Sequence, residues 1–118
     1  MTLLIADDSE LLRLSLKKLL EPVCFITKIF EAQDPLAAIE MITQYYPDAI
    51  ILDLGFQQGS GFDVMDFLVQ QDLEMLVIVL TNFYTAHNRQ KSYSRGAHFF
   101  FDKSHDYEKL EDVIKNYD

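Results

Sequence analysis

The sequence predicts an α/β fold: a doubly wound, five-stranded parallel sheet with helices on both faces. Three observations predict it. Short apolar runs alternate with amphipathic stretches along the whole chain. Two of the runs, 49–52 and 75–80, are continuously apolar, as parallel strands covered on both faces are. Acidic, hydroxyl and ammonium side chains stand at the ends of four of the five runs, where such sheets gather their chemistry.

The elements follow in order. Residues 3–6 form the first strand, and Leu11, Leu12, Leu14, Leu16, Leu19 and Leu20 keep largely helical spacing over 10–20. Residues 25–30 alternate through Thr27 and Lys28 and predict a strand at a sheet edge. Asp34 caps a helix over 36–46, Pro35 takes its first position and Pro47 stops it. The third strand is 49–52. Gly59-Ser60-Gly61 breaks the chain before a helix over 62–70. The fourth strand spans 75–80, and Thr85 caps a helix to about residue 95, which Gly96 ends. Residues 97–101 are the fifth strand, and Ser104 is expected to cap a last helix over about 106–117. Five strands, each followed by a helix, imply right-handed crossovers, and the doubly wound arrangement carries a flavodoxin-like order, 2-1-3-4-5.

At 118 residues the chain is read as one domain, 1–118, with one core. The apolar fraction of 49% is ordinary for a globular protein, and no apolar run nears the roughly 20 residues of a membrane span. No signal segment opens the chain, and the single cysteine, Cys24, is expected in the core, so the compartment is expected to be cytoplasmic. A net charge of −9 argues against direct contact with nucleic acid, and Arg89, Lys91 and Arg95 are read as one solvated helix face.

In the proposed order, Asp7 and Asp8 after the first strand, Asp53 after the third, Thr81 after the fourth and Lys103 after the fifth converge on one cleft. Three carboxylates repel one another, and hard oxygen ligands suit Mg²⁺ or Mn²⁺. His87, His98 and His105 lack ligand spacing, which excludes a zinc centre. A carboxylate beside a metal can accept a phosphoryl group as an acyl phosphate. The charge then spread over its oxygens calls for a cation, a lysine and a hydrogen-bond donor.

With Asp7-Asp8-Ser9, the run from Pro47 to Asp53, Gly61 eight residues after Asp53, Thr81 and Lys103, the whole chain resembles a response-regulator receiver domain. The resemblance implies that Asp53 is phosphorylated, forming 4-aspartylphosphate, by a histidine kinase or phosphotransfer protein of a two-component system. It implies that Asp8, Asp53 and the carbonyl of Gly55 ligate Mg²⁺ or Mn²⁺, with Asp7 acting through water. Thr81 and Lys103 would bind the phosphoryl group, and Phe100, three residues before Lys103, matches the switch aromatic. A strand face alone explains Phe100 too. Such a domain is not an enzyme beyond its own phosphorylation and dephosphorylation. Its output surface would be the fourth helix, fifth strand and fifth helix, meeting a downstream protein or a second copy, with Tyr84, Tyr93, Phe99 and Tyr107 as candidate contacts.

Departures from the family pattern are Gln57 and Ser104 where proline is usual, and Asn82 where a small residue is usual. Asn82 and Ser104 resemble a variant among stand-alone, chemotaxis-type receivers. Two other readings compete. A phosphorylation-independent pseudo-receiver would lack an acid or the lysine, yet all are present. A haloacid-dehalogenase-type phosphatase needs a second aspartate two residues after the first, where Gly55 stands. A flavodoxin would need a phosphate-cradling loop where Asp7 and Asp8 repel phosphate, and no G-x-G-x-x-G follows a strand.

Overall fold

The computed structural model describes residues 1–117, so Asp118, the last residue of the expected domain, lies outside the described residues. The strands are β1 (Thr2–Ala6), β2 (Lys28–Ala32), β3 (Ala49–Leu52), β4 (Leu76–Thr81) and β5 (Phe99–Asp102). The helices are α1 (Glu10–Leu20), α2 (Pro35–Tyr45), α3 (Gly61–Gln70), α4 (Ala86–Ser94) and α5 (Tyr107–Lys115). All strand pairs are parallel, in the order β2-β1-β3-β4-β5. This is the predicted flavodoxin-like arrangement. Among the described residues no helix is long and apolar enough to cross a membrane.

Strand alternation sorts the core into two halves. Leu4, Ala6, Ile50, Leu52, Val77, Val79 and Phe100 pack with Ala38 and Ile42 of α2 and with Val64, Met65 and Leu68 of α3. Leu3, Ile5, Ala49, Ile51, Ile78 and Leu80 pack with Leu16 and Leu20 of α1 and with Leu110 and Ile114 of α5. The register sets Ala6 beside Leu52 and Leu52 beside Val79. The next residues of β1 and β3, Asp7 and Asp53, therefore leave the sheet side by side. At the opposite end of the sheet, the imidazole Nδ1 of His98 accepts the Val77 N–H at 3.0 Å and continues the β4–β5 ladder below Phe99.

Caps act where the sequence places them. Asp34 accepts from Ala37 N at 2.7 Å and Thr85 from Asn88 N at 3.1 Å. Tyr46 closes α2 in the left-handed region at φ 47°, its N–H bonding Ile42 O, and Pro47 follows.

Four expectations are corrected. β2 begins at Lys28, because Ile26 N bonds Val23 O in a turn and Phe25 and Ile26 pack on the α1–α5 half of the core. In the same turn Val23 takes the buried position and Cys24 is exposed. Ser104 does not cap α5. Its N–H bonds Asp102 Oδ1 at 2.9 Å, and Asp106, at the cap position, turns its carboxylate to Asp102 N at 2.8 Å. That backbone N–H, with Lys109, holds the Asp106 carboxyl below its usual range and fixes the loop that carries Lys103. The basic residues do not form one solvated face. Lys91 and Arg95 lie 4.3 and 5.3 Å from the Phe62 ring centroid, and Arg95 bonds Asp66 at 2.6 Å. These contacts tie α4 to α3, which matters because the buried side of α4 is only Ser92, whose hydroxyl has no partner.

Candidate functional site

Asp53 continues the β3 ladder, its N–H bonding Ala6 O at 3.0 Å, and is 5% exposed. Its Oδ1 accepts from Leu54 N at 2.8 Å and, more loosely, from Gly55 N at 3.4 Å. Asp7, 2% exposed, accepts from Ser9 N through Oδ1 at 2.8 Å. One ammonium joins the two acids: Lys103 Nζ lies 2.6 Å from Asp7 Oδ2 and 2.9 Å from Asp53 Oδ2. Asp8 is exposed at the rim. One carboxylate oxygen from each of Asp7, Asp8 and Asp53 lies within 4.8 Å of the other two.

The electrostatics follow from one cation shared by two buried acids, with a third acid exposed beside them. Burial pushes the Asp7 carboxyl above its usual range against the pull of Lys103, and the Asp53 charge adds to the rise. Burial alone would lower the Lys103 ammonium, but hydrogen bonds to Asp7 and Asp53 outweigh it and raise its pKa. With Lys103 counted, ionised Asp7, Asp8 and Asp53 leave the cleft two charges short of neutrality.

Thr81 and Phe100 stand on β4 and β5 beside the loop after β4. Thr81 is fully buried and its Oγ1 accepts from Phe83 N at 3.1 Å. Phe100, 4% exposed, stacks on Tyr84 with centroids 5.1 Å apart. Thus Asp7, Asp8, Asp53 and Lys103 are brought together, whereas Thr81 and Phe100 are linked to the loop after β4. Of the aromatic contacts expected at the surface, Tyr84 and Tyr93 are exposed, while Phe99 and Tyr107 pack partly against the core.

Two glycines show how closely the loops approach. A Cβ at Gly61 would lie 2.1 Å from the Asp53 carbonyl oxygen, so the start of α3 rests directly on the Asp53 backbone. A Cβ at Gly55 would meet the Phe83 ring at 2.3 Å, but that ring is 57% exposed and free to swing aside. Gly61→Ala is therefore expected to cost about 2 kcal/mol in urea unfolding, as a clash with backbone cannot be relieved by a rotamer. Gly55→Ala should cost far less.

Three contributors were absent from the sequence reading. Phe83 covers Gly55. Arg13 and Glu31 form an ion pair behind Asp7, with Arg13 NH1 donating to the Asp7 carbonyl at 2.6 Å. An arginine between Leu12 and Leu16 of α1, and a glutamate within a strand, were the available signals.

Residues 3–115 match the family model described as response regulator receiver domain. Sporulation initiation phosphotransferase F of Bacillus subtilis is 27% identical over 115 residues, covering 98% of this chain and 91% of that protein. The nitrate/nitrite response regulator protein NarL of Escherichia coli K12 is 31% identical over 80 residues, 68% of this chain but 37% of that protein. Among solved structures, a signal receiver domain from Vibrio parahaemolyticus superposes with a TM-score of 0.88 at 27% identity, covering 96% of this chain and 85% of the other. The Mn²⁺-bound form of response regulator Rcp1 shares the fold, with a TM-score of 0.81 at 24% identity over 97% of this chain and 88% of the other.

Proposed function

The chain belongs to the response regulator receiver domains, and from that premise we propose that it accepts a phosphoryl group on Asp53, in a Mg²⁺- or Mn²⁺-dependent step, from a histidine kinase or phosphotransfer protein. The observation that carries this reading is the cleft itself: three carboxylates within 4.8 Å, two of them bridged by one lysine. A solvated acidic turn needs neither that burial nor that lysine.

The donor set fits a divalent cation. The ligand atoms are hard oxygens, one acid is exposed to solvent, and the net deficit of two charges equals the charge of the ion. Asp8, Asp53 and the carbonyl of Gly55 would hold it, with Asp7 acting through water. When bound, the cation supplies positive charge to the oxygens of the transferred group. In the transfer, a carboxylate oxygen of Asp53 attacks phosphorus, a C–O–P linkage forms, and the bond to the donor's nitrogen breaks with its electron pair retained by that nitrogen. Lys103, already 2.9 Å from Asp53, pairs with the phosphoryl oxygens. Water later attacks phosphorus and restores the carboxylate. The domain thus acts only on itself and serves as a signalling switch.

Thr81 links the chemistry to a surface. Its Oγ1 accepts from Phe83 N, which leaves the hydroxyl proton for a phosphoryl oxygen. A shift of Thr81 toward that oxygen pulls on Phe83 and Tyr84, and the Tyr84–Phe100 stack carries the pull to β5. The output is then a population shift of the α4–β5–α5 face toward a downstream protein or a second copy, in a cytoplasmic setting.

A small acyl phosphate with Mg²⁺ should add the mass of one phosphoryl group to the intact protein, and a chelator should prevent it. Unmodified mass under conditions that label another receiver domain would refute the proposal.

A further inference from the structure

We propose that Arg13 is a positioning residue for the cation site, acting on Asp8 through the Asp7–Asp8 peptide; the inference rests on the reading of the cleft given above. Asp8 is exposed, so its placement depends on the direction in which the chain leaves β1. That direction is set at both ends of residue 7. Its N–H bonds Ala32 O at 3.0 Å, and its carbonyl, which lies in the peptide plane leading to Asp8, accepts from Arg13 NH1 at 2.6 Å.

Arg13 is itself held. Its side chain is 12% exposed, and Nε bonds Glu31 Oε1 at 3.0 Å. The other oxygen of Glu31 takes Lys17 Nζ at 3.1 Å. Burial of Glu31 works against its charge, but the bonds from Lys17 and Arg13 hold its carboxyl below the usual range, so the anchor stays ionised at neutral pH. The planar guanidinium offers Nε to the carboxylate and a second nitrogen to the carbonyl in one fixed geometry, whereas a lysine would have to reach both from a single nitrogen on a flexible stem. Partners outside the first coordination sphere that orient ligands commonly change metal affinity about 10-fold to 100-fold when removed.

Mn²⁺ binding to the full chain, followed by the electron paramagnetic resonance of free Mn²⁺, tests this beside circular-dichroism melting in chelator. Arg13→Met should weaken Mn²⁺ binding about tenfold, with Arg13→Lys between it and the parent. Lys17→Met removes a cation from Glu31 but leaves the Asp7 carbonyl bonded, and should bind Mn²⁺ as the parent does. If Arg13→Met does not fold, Glu31→Leu, which frees Arg13 from its anchor, must show the loss instead. Folded Arg13→Met with parental affinity would overturn the inference, and so would an equal loss in Lys17→Met, which would mark the cluster as a mere brace between α1 and β2. A parent that binds no Mn²⁺, or an Asp8→Asn variant that binds as well as the parent, would overturn the reading of the cleft and the inference with it.

Discussion

Asp53→Asn is expected to yield no phosphoryl adduct by intact mass under conditions that label the parent. The substitution keeps the shape of the side chain and an oxygen for Leu54 N, which the structure places 2.8 Å from Oδ1. It removes the nucleophile, because a neutral amide has no carboxylate oxygen to attack phosphorus. The neighbouring acids do not take over. Asp7 has one oxygen on Ser9 N and the other on Lys103, and Asp8 stands exposed at the rim. Asp7→Asn and Asp8→Asn should therefore slow labelling, whereas Asp53→Asn should end it. An adduct that persists at the parental level in Asp53→Asn would place the acceptor elsewhere.

Lys103→Met should lose about 3 kcal/mol of unfolding free energy at pH 7 in chelator, the cost of breaking a buried ion pair on one side. The lysine side chain is 11% exposed and its two partners 3% and 6%, so solvent screens the loss poorly. The direction with pH follows from Asp7. Its folded pKa already lies above that of an ordinary carboxylate, so its ionisation opposes folding progressively as the pH rises from the ordinary carboxylate range through that folded value, and fully above it. Removing Lys103 raises the folded value further. The added cost should be largest above that raised pKa and shrink as the pH falls through it toward the ordinary carboxylate range. Mg²⁺ should restore part of the loss by mass action. Urea unfolding at pH 7 and pH 5, with and without Mg²⁺, checks both trends; a loss that is the same at both pH values would mean that Lys103 stabilises by packing alone.

What could be read from the sequence was whatever a single strand end determines. Asp7, Asp53 and Lys103 meet because each stands one residue past a strand and the strands lie in register. Apolar runs fixed in period therefore predicted their meeting. Cys24 and Ser104 went wrong for a local reason: each sits in a turn whose hydrogen bonds, Ile26 N to Val23 O and Asp102 N to Asp106, override the burial and capping preferences of the residue. Arg13 with Glu31, and Phe83 over Gly55, lay beyond reach for a different reason. They join residues 18 and 28 positions apart, the first pair on α1 and β2 and the second on the loops after β3 and β4, and nothing in the local pattern of either partner names the other.

The single buried hydroxyl beneath α4 has a consequence for how the molecule comes apart. Nine residues are too few to sustain a helix in water by themselves, and Ser92 gives α4 almost no apolar area to lose on detaching. Detachment also hydrates a hydroxyl that has no partner when buried. Opening of α4 is thus far cheaper than global unfolding, and its amides should exchange with solvent through local events while those of β1 and β3 wait for the whole fold to open. The pairing of β1 with β3 involves no residue of α4, so this face can be reshaped while Asp7 and Asp53 stay aligned.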